Sequence, residues 1–172
     1  MSMQTYSKSL IAALFLLPLT SLAGTVQAEF GEFEDFTDFS VAGLSETKTL
    51  RIFKAELEPV LEKLAEKYLK DEETFTIHFT DIDMAGDIQE WRNTNNADIR
   101  YVEDVYPPRL KFTYALQDAS GETVMEGEES ISDLGFQMNT IAPIRNRYMH
   151  FFYEMTLLED WMRKTFRDRN KS

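Results

Sequence analysis

The sequence predicts an α+β domain: an antiparallel sheet of about four strands, with an N-terminal and a C-terminal helix packed on one face. Two observations carry this expectation. Long segments near each end of the chain repeat apolar residues at helical spacing, and the segments between them alternate apolar and polar residues with a period of two. Elements in that order place two helices against one sheet.

The first helix is expected over Leu50–Lys70. Leu50, Phe53, Leu57, Leu61, Leu64 and Tyr68 form one stripe, Glu58, Glu62, Lys63, Glu66 and Lys67 fill the opposite side, and Thr47 or Thr49 can cap the start. Pro59 lies inside it and predicts a kink or break, because proline lacks an amide donor and crowds the preceding turn. The strand Thr74–Ile82 follows, with Phe75, Ile77 and Phe79 on one face and Thr76, His78 and Thr80 on the other. Ala85–Asp98, with Asn93, Asn95 and Asn96, reads as a loop, and Ile99–Val102 as a short strand. Tyr106-Pro107-Pro108 marks a bend. Arg109–Ile131 is the clearest hairpin, turning at Asp118-Ala119-Ser120-Gly121, where glycine supplies a positive φ. The last helix is expected from about Tyr148 to Arg167, with Phe151 or Phe152, Met155, Leu158, Met162 and Phe166 as its stripe and Trp161 beside it. Arg163, Lys164, Arg167 and Arg169 at its end suit the negative pole of the helix dipole.

Ahead of these elements the chain reads as an export signal. Lys8 precedes an apolar run from Leu10, and no acid occurs before Glu29. The run is shorter than the ~20 apolar residues needed to span a bilayer. Residues 1–28 are therefore expected to be a signal peptide, cut after Ala28 in Val26-Gln27-Ala28, with Ala23 as the second choice. Residues 29–46 form an acidic, aromatic lead-in, and 47–169 the single domain. Phe30, Phe33, Phe36 and Phe39 recur every third residue of the lead-in and are expected to pin it to the core; an acidic–aromatic docking segment is the alternative.

Composition narrows the function. The chain has no cysteine, so it has neither disulfides nor a thiol for a lipid anchor, and an ordinary core must hold it. Its formal charge is −12, and the loss of Lys8 with the leader makes it −13. That field opposes nucleic acid and anionic lipid. The chain contains no H-E-x-x-H, no G-x-S-x-G and no glycine-rich phosphate loop, and His78 and His150 stand alone. No catalytic residue and no cofactor are assigned.

One segment carries possible chemistry, Asp81-Ile82-Asp83-Met84-Ala85-Gly86-Asp87. Asp81, Asp83 and Asp87 around a glycine turn can hold a hard cation. The start mimics a calcium loop and then departs from it, with Ala85 at position five and Arg92 at position twelve. Alternatively these aspartates accept backbone amides or pair with Arg100 or Arg109, locking the turn. The same pairing beside Tyr106 can form a small anionic-ligand pocket.

Thr80-Asp81-Ile82-Asp83 with Ala85-Gly86, then Ile99-Arg100, Tyr106-Pro107-Pro108-Arg109, Tyr153-Glu154, Leu157-Leu158 and Asp160-Trp161, resemble an uncharacterised family of exported bacterial proteins, a domain of unknown function. The resemblance covers about residues 36–166. It departs at Leu69-Lys70, where a Leu-Pro step is expected. It implies a Gram-negative periplasmic or secreted protein and carries over no activity, cofactor or catalytic residue. The leading functional expectation is a non-enzymatic exported domain that binds another protein through its sheet or aspartate turn. The alternatives are a divalent-cation or small anionic-ligand binder at Asp81 and Asp83, and a hydrolase using paired carboxylates.

Overall fold

The structure is a computed structural model, and it describes residues 24–92, 99–138 and 149–169. The apolar run from Leu10, the asparagines at 93, 95 and 96, and Tyr148 lie outside the described residues. The described residues form a four-stranded sheet, in the spatial order β1 (Thr25–Phe30), β2 (Thr74–Asp83), β5 (Arg109–Gln117) and β6 (Thr123–Ser132), together with two α-helices. Helix α1 is Glu46–Tyr68 and helix α2 is Phe152–Arg169. Strands β5 and β6 form the expected hairpin. Strands β3, Asp87–Ile88, and β4, Arg100–Tyr101, pair with each other as a separate ribbon.

The α+β class holds, with two refinements. The sheet is mixed: β1 runs parallel to β2, and the other pairings are antiparallel. Its fourth strand is β1 and not the segment around Ile99, which belongs to the ribbon. A parallel pair needs a crossover, and α1 supplies it, so β1, α1 and β2 form one β–α–β unit. Strand β1 starts at Thr25, four residues ahead of Glu29, so four of its six residues fall in the segment that the sequence assigns to the leader. Helix α1 runs unbroken through Pro59, which has no N–H to offer the Ala55 carbonyl.

Periodicity explains the core. Phe75, Ile77 and Phe79 of β2 and Leu110, Phe112 and Leu116 of β5 are buried on one face. The stripes Phe53, Leu57, Leu61, Leu64 of α1 and Met155, Leu158, Met162, Phe166 of α2 close over them. The lead-in phenylalanines join this core. Phe39 packs edge-on against Phe53 at 5.2 Å and tilts against Phe151 at 5.5 Å, while Phe30 stacks on Phe79 at 5.5 Å. The opposite face of the sheet carries Glu29, Thr76, His78, Thr113, Glu126 and Glu128 and is open. His78 faces Glu29 there at 3.5 Å.

Candidate functional site

The aspartate segment owes its geometry to one irregularity. Strict alternation would send Asp81 into the core behind Phe79. A β-bulge between Phe79 and Asp81 inserts Thr80 and reverses the phase, so Ile82 faces inward and Asp81 and Asp83 face the other side. There Asp81 lies opposite Lys111 and Asp83 opposite Arg109. Asp81 accepts hydrogen bonds from the Thr37 amide at 2.8 Å, the Thr37 hydroxyl at 3.1 Å and the Lys111 ammonium at 2.8 Å. Burial alone would raise its pKa, but these donors outweigh that and hold it below the usual carboxylate value. Asp83 is raised instead, by burial first and then by the neighbouring Asp38.

Arg100 ties the ribbon to the sheet. Its guanidinium donates to both oxygens of Asp38, at 2.9 and 2.8 Å, and to the Gly86 and Ser40 carbonyls, each at 2.9 Å. Asp38 itself runs beside β2, bridging Asp83. Gly86 turns the chain at φ +82°, and a Cβ there would lie 2.5 Å from the Tyr101 carbonyl oxygen, so both the turn and the close approach require glycine. The Gly86 amide donates to the Tyr106 carbonyl at 2.9 Å. Both peptide bonds of Tyr106-Pro107-Pro108 are trans. A hollow of about 310 Å³ results, walled by Asp38, Asp83, Asp87, Tyr106 and Arg109. The structure thus gathers the sequence-predicted residues at one end of the sheet, with Arg100 committed to Asp38 and Asp81 outside the wall of the hollow.

Among the described residues no group of three or more histidine, aspartate or glutamate side chains is placed to hold a metal ion. Asp81 is engaged by Thr37 and Lys111, apart from the hollow that Asp83 and Asp87 share. Asp81 and Asp83 are pushed apart in pKa, but they do not face a common cleft.

Two acids important to this end of the molecule escape a reading of spacing alone. Glu154, on the first turn of α2, is 2 % exposed and accepts the Ala85 amide at 2.7 Å. Burial pushes its pKa up to about 7. It shares the wall of a second hollow, about 410 Å³, with Arg100, Gln137, His150 and Tyr153. Glu56 of α1 accepts the His150 amide at 3.0 Å and the Phe151 amide at 2.9 Å, capping α2 from another helix. Glu154 surfaced in the sequence only within the Tyr153-Glu154 block; Glu56 gave no signal.

A larger feature lies at the opposite edge of the sheet. Among the described residues β1 pairs on one side only, with β2. Beside it runs an open groove of about 830 Å³, lined by Val26, Ala28 and Phe30 of β1 and by Ala55, Leu57, Leu61 and Ala65 of α1. Glu58, Glu62 and Glu66 rim it on α1, and the Lys54 ammonium stands 4.9 Å from the centre of the Phe30 ring.

No curated protein matches the chain. Among solved structures it is similar to a PelC dodecamer from Paraburkholderia phytofirmans at 7 % identity, covering 78 % of this chain and 84 % of that one with a TM-score of 0.34. A minor lipoprotein from Acinetobacter baumannii is similar at 10 % identity, covering 85 % and 90 %, with a TM-score of 0.27. Neither likeness is close enough to inform the site. The profile of one family matches residues 24–164, beginning at Gly24 where the sequence resemblance began near residue 36. The chain belongs to that family, described as Protein of unknown function (DUF3016).

Proposed function

We propose that the protein is an exported, non-enzymatic interaction domain that seats an extended segment of a protein partner along β1. The observation that carries this reading is the edge of β1, unpaired among the described residues, beside the open groove between β1 and α1. A sheet edge offers backbone donors and acceptors to an added strand, and a groove beside it selects alternate side chains. Here the floor is apolar, which asks for apolar residues at every second position of the partner. The rim carries Glu58, Glu62 and Glu66, which asks for lysine or arginine where the segment faces α1. Export rests on the leader-like N-terminus.

Ala55 is exposed on α1 and lines the groove, so Ala55→Trp fills it without replacing a buried side chain. Peptides selected from a random display library on the purified mature protein are expected to alternate apolar with basic residues. Ala55→Trp is expected to weaken them at least ~10-fold, about 1.4 kcal/mol, with an unchanged melting temperature. Peptides that bind wild type and Ala55→Trp equally would refute the groove. Concentration-dependent self-association abolished by Ala55→Trp would give the groove to a second copy instead.

The hollow beside Tyr106 supports a second reading, a small-ligand or cation site at the aspartate turn, because it brings Asp83, Asp87 and Arg109 to one wall. A melt in EDTA, then calcium, magnesium and zinc, tests it. A site filled ~100-fold above its Kd raises stability by about 2.7 kcal/mol, and this gain must vanish in Asp83→Asn. No shift with any ion removes the cation reading.

A further inference from the structure

The export reading leaves two cleavage points, and the fold discriminates between them. A cut after Ala28 would remove Thr25, Val26, Gln27 and Ala28, four of the six residues of β1. With them would go the pairs Thr25↔Thr74, Val26↔Phe75, Gln27↔Thr76 and Ala28↔Ile77, and the hydrogen bond from the Thr25 amide to the Glu73 carbonyl at 2.8 Å. Val26 and Ala28 also pack against the hydrophobic core. The product would expose one edge of β2, which is flanked on both sides in the complete sheet.

Gly24 already belongs to the packed domain. A Cβ at this position would lie 2.5 Å from the Leu69 Cβ and 2.9 Å from the Lys70 carbonyl oxygen, so only glycine fits against the end of α1. The bond before it has the chemistry that a signal peptidase accepts. Ser21 and Ala23 place small side chains at the two positions that the enzyme reads, at the end of the apolar run that starts at Leu10.

We propose that a signal peptidase hydrolyses the Ala23–Gly24 bond, so that the mature chain starts at Gly24 and keeps β1 whole. Water adds across the amide, leaving a carboxylate on Ala23 of the released leader and a free amine on Gly24. Val26-Gln27-Ala28, with equally acceptable small residues, is spared and becomes strand. The proposal rests on the reading of the leader as an export signal.

The test is N-terminal sequencing and intact mass of the full chain, carrying a C-terminal tag, after expression in a Gram-negative host and fractionation. The expected periplasmic species begins Gly24-Thr25-Val26. A species beginning at Glu29 would overturn this inference while leaving export intact. An unprocessed chain starting at Met1 in every fraction would overturn both, and its mass distinguishes that outcome. Ala23→Asp is expected to leave the precursor as the main species, because a charged residue at the scissile position is not accepted. If Ala23→Asp is processed as wild type is, the assigned bond is wrong.

Discussion

At the scale of single residues, the buried acids decide the pH response. Burial raises the pKa of Glu154 in the fold from its ordinary value of 4.5 to about 7. A raised carboxylate favours the protonated form in the fold, so the unfolded chain binds fewer protons between those values. Stability therefore falls as pH rises from 4.5 towards 7, and is level above that. That difference corresponds to a penalty of about 3 kcal/mol at pH 8. Arg100 reduces it and Glu56 adds to it. Glu154→Gln keeps an acceptor for the Ala85 amide and removes the charge. It is expected to exceed wild type in urea stability at pH 8 by up to that amount and to match it near pH 4.5. Equal stability of the two at pH 8 would place the Glu154 charge in water. Asp81 has the opposite sign: its lowered pKa gives stability that is lost as pH falls through its folded pKa. Asp81→Asn removes the Lys111 pair and is expected to cost about 1–3 kcal/mol at pH 7, read by the same denaturation.

At the scale of elements, sequence periodicity found what is continuous and missed what is interrupted. The stripes of α1 and α2, the alternation of β5 and that of β2 as far as Phe79 are uniform patterns set by burial on one face, and they were legible. The bulge at Thr80 was not, because the chain around it still alternates; only the pairing with Lys111 and Arg109 reveals the shift of phase. Strand β1 was hidden for another reason. Val26 and Ala28 face the core, and the same small apolar residues satisfy a signal peptidase, so one short pattern supports two readings. Of the candidate site, the return of Asp87 towards Asp83 was legible from the turn at Gly86, whereas the separation of Asp81 from the hollow and the choice between Arg100 and Arg109 were not. The partnership of Arg100 with Asp38 spans 62 residues and was not legible either. The turn itself makes a sharp prediction. Gly86→Ala places a Cβ both at positive φ and against the Tyr101 carbonyl, and is expected to cost at least about 2 kcal/mol. Differential scanning calorimetry should show a melting temperature lower by about 4–8 °C. An unchanged melting temperature would mean that the β3–β4 ribbon moves freely on the sheet.

At the scale of the whole molecule, charge and topology act together. The formal charge is −12, and the open face of the sheet concentrates it: Glu29, Glu126 and Glu128 share that surface with His78. The opposing cations are used locally, Lys111 on Asp81 and Arg100 on Asp38, while Arg169 pairs with Glu73 at the end of α2. Repulsion among the surface acids acts over long distances and is screened by salt, with a Debye length falling from ~30 Å at 0.01 M to ~8 Å at 0.15 M. The hydrogen-bonded pairs are short and partly buried, so salt weakens them less. The balance predicts that sodium chloride stabilises the fold. Raising it from ~10 mM to ~150 mM at pH 7 should lift the melting temperature by about 2–4 °C, equivalent to ~1 kcal/mol in a domain of this size. The rise should shrink in Glu126→Gln/Glu128→Gln, which thins the acidic face without disturbing an ion pair. A melting temperature that falls with salt would reverse the ranking: the local pairs would then outweigh the self-repulsion of the acidic surface. The acidic rim of the groove would in that case be a poor basis for attracting a basic segment.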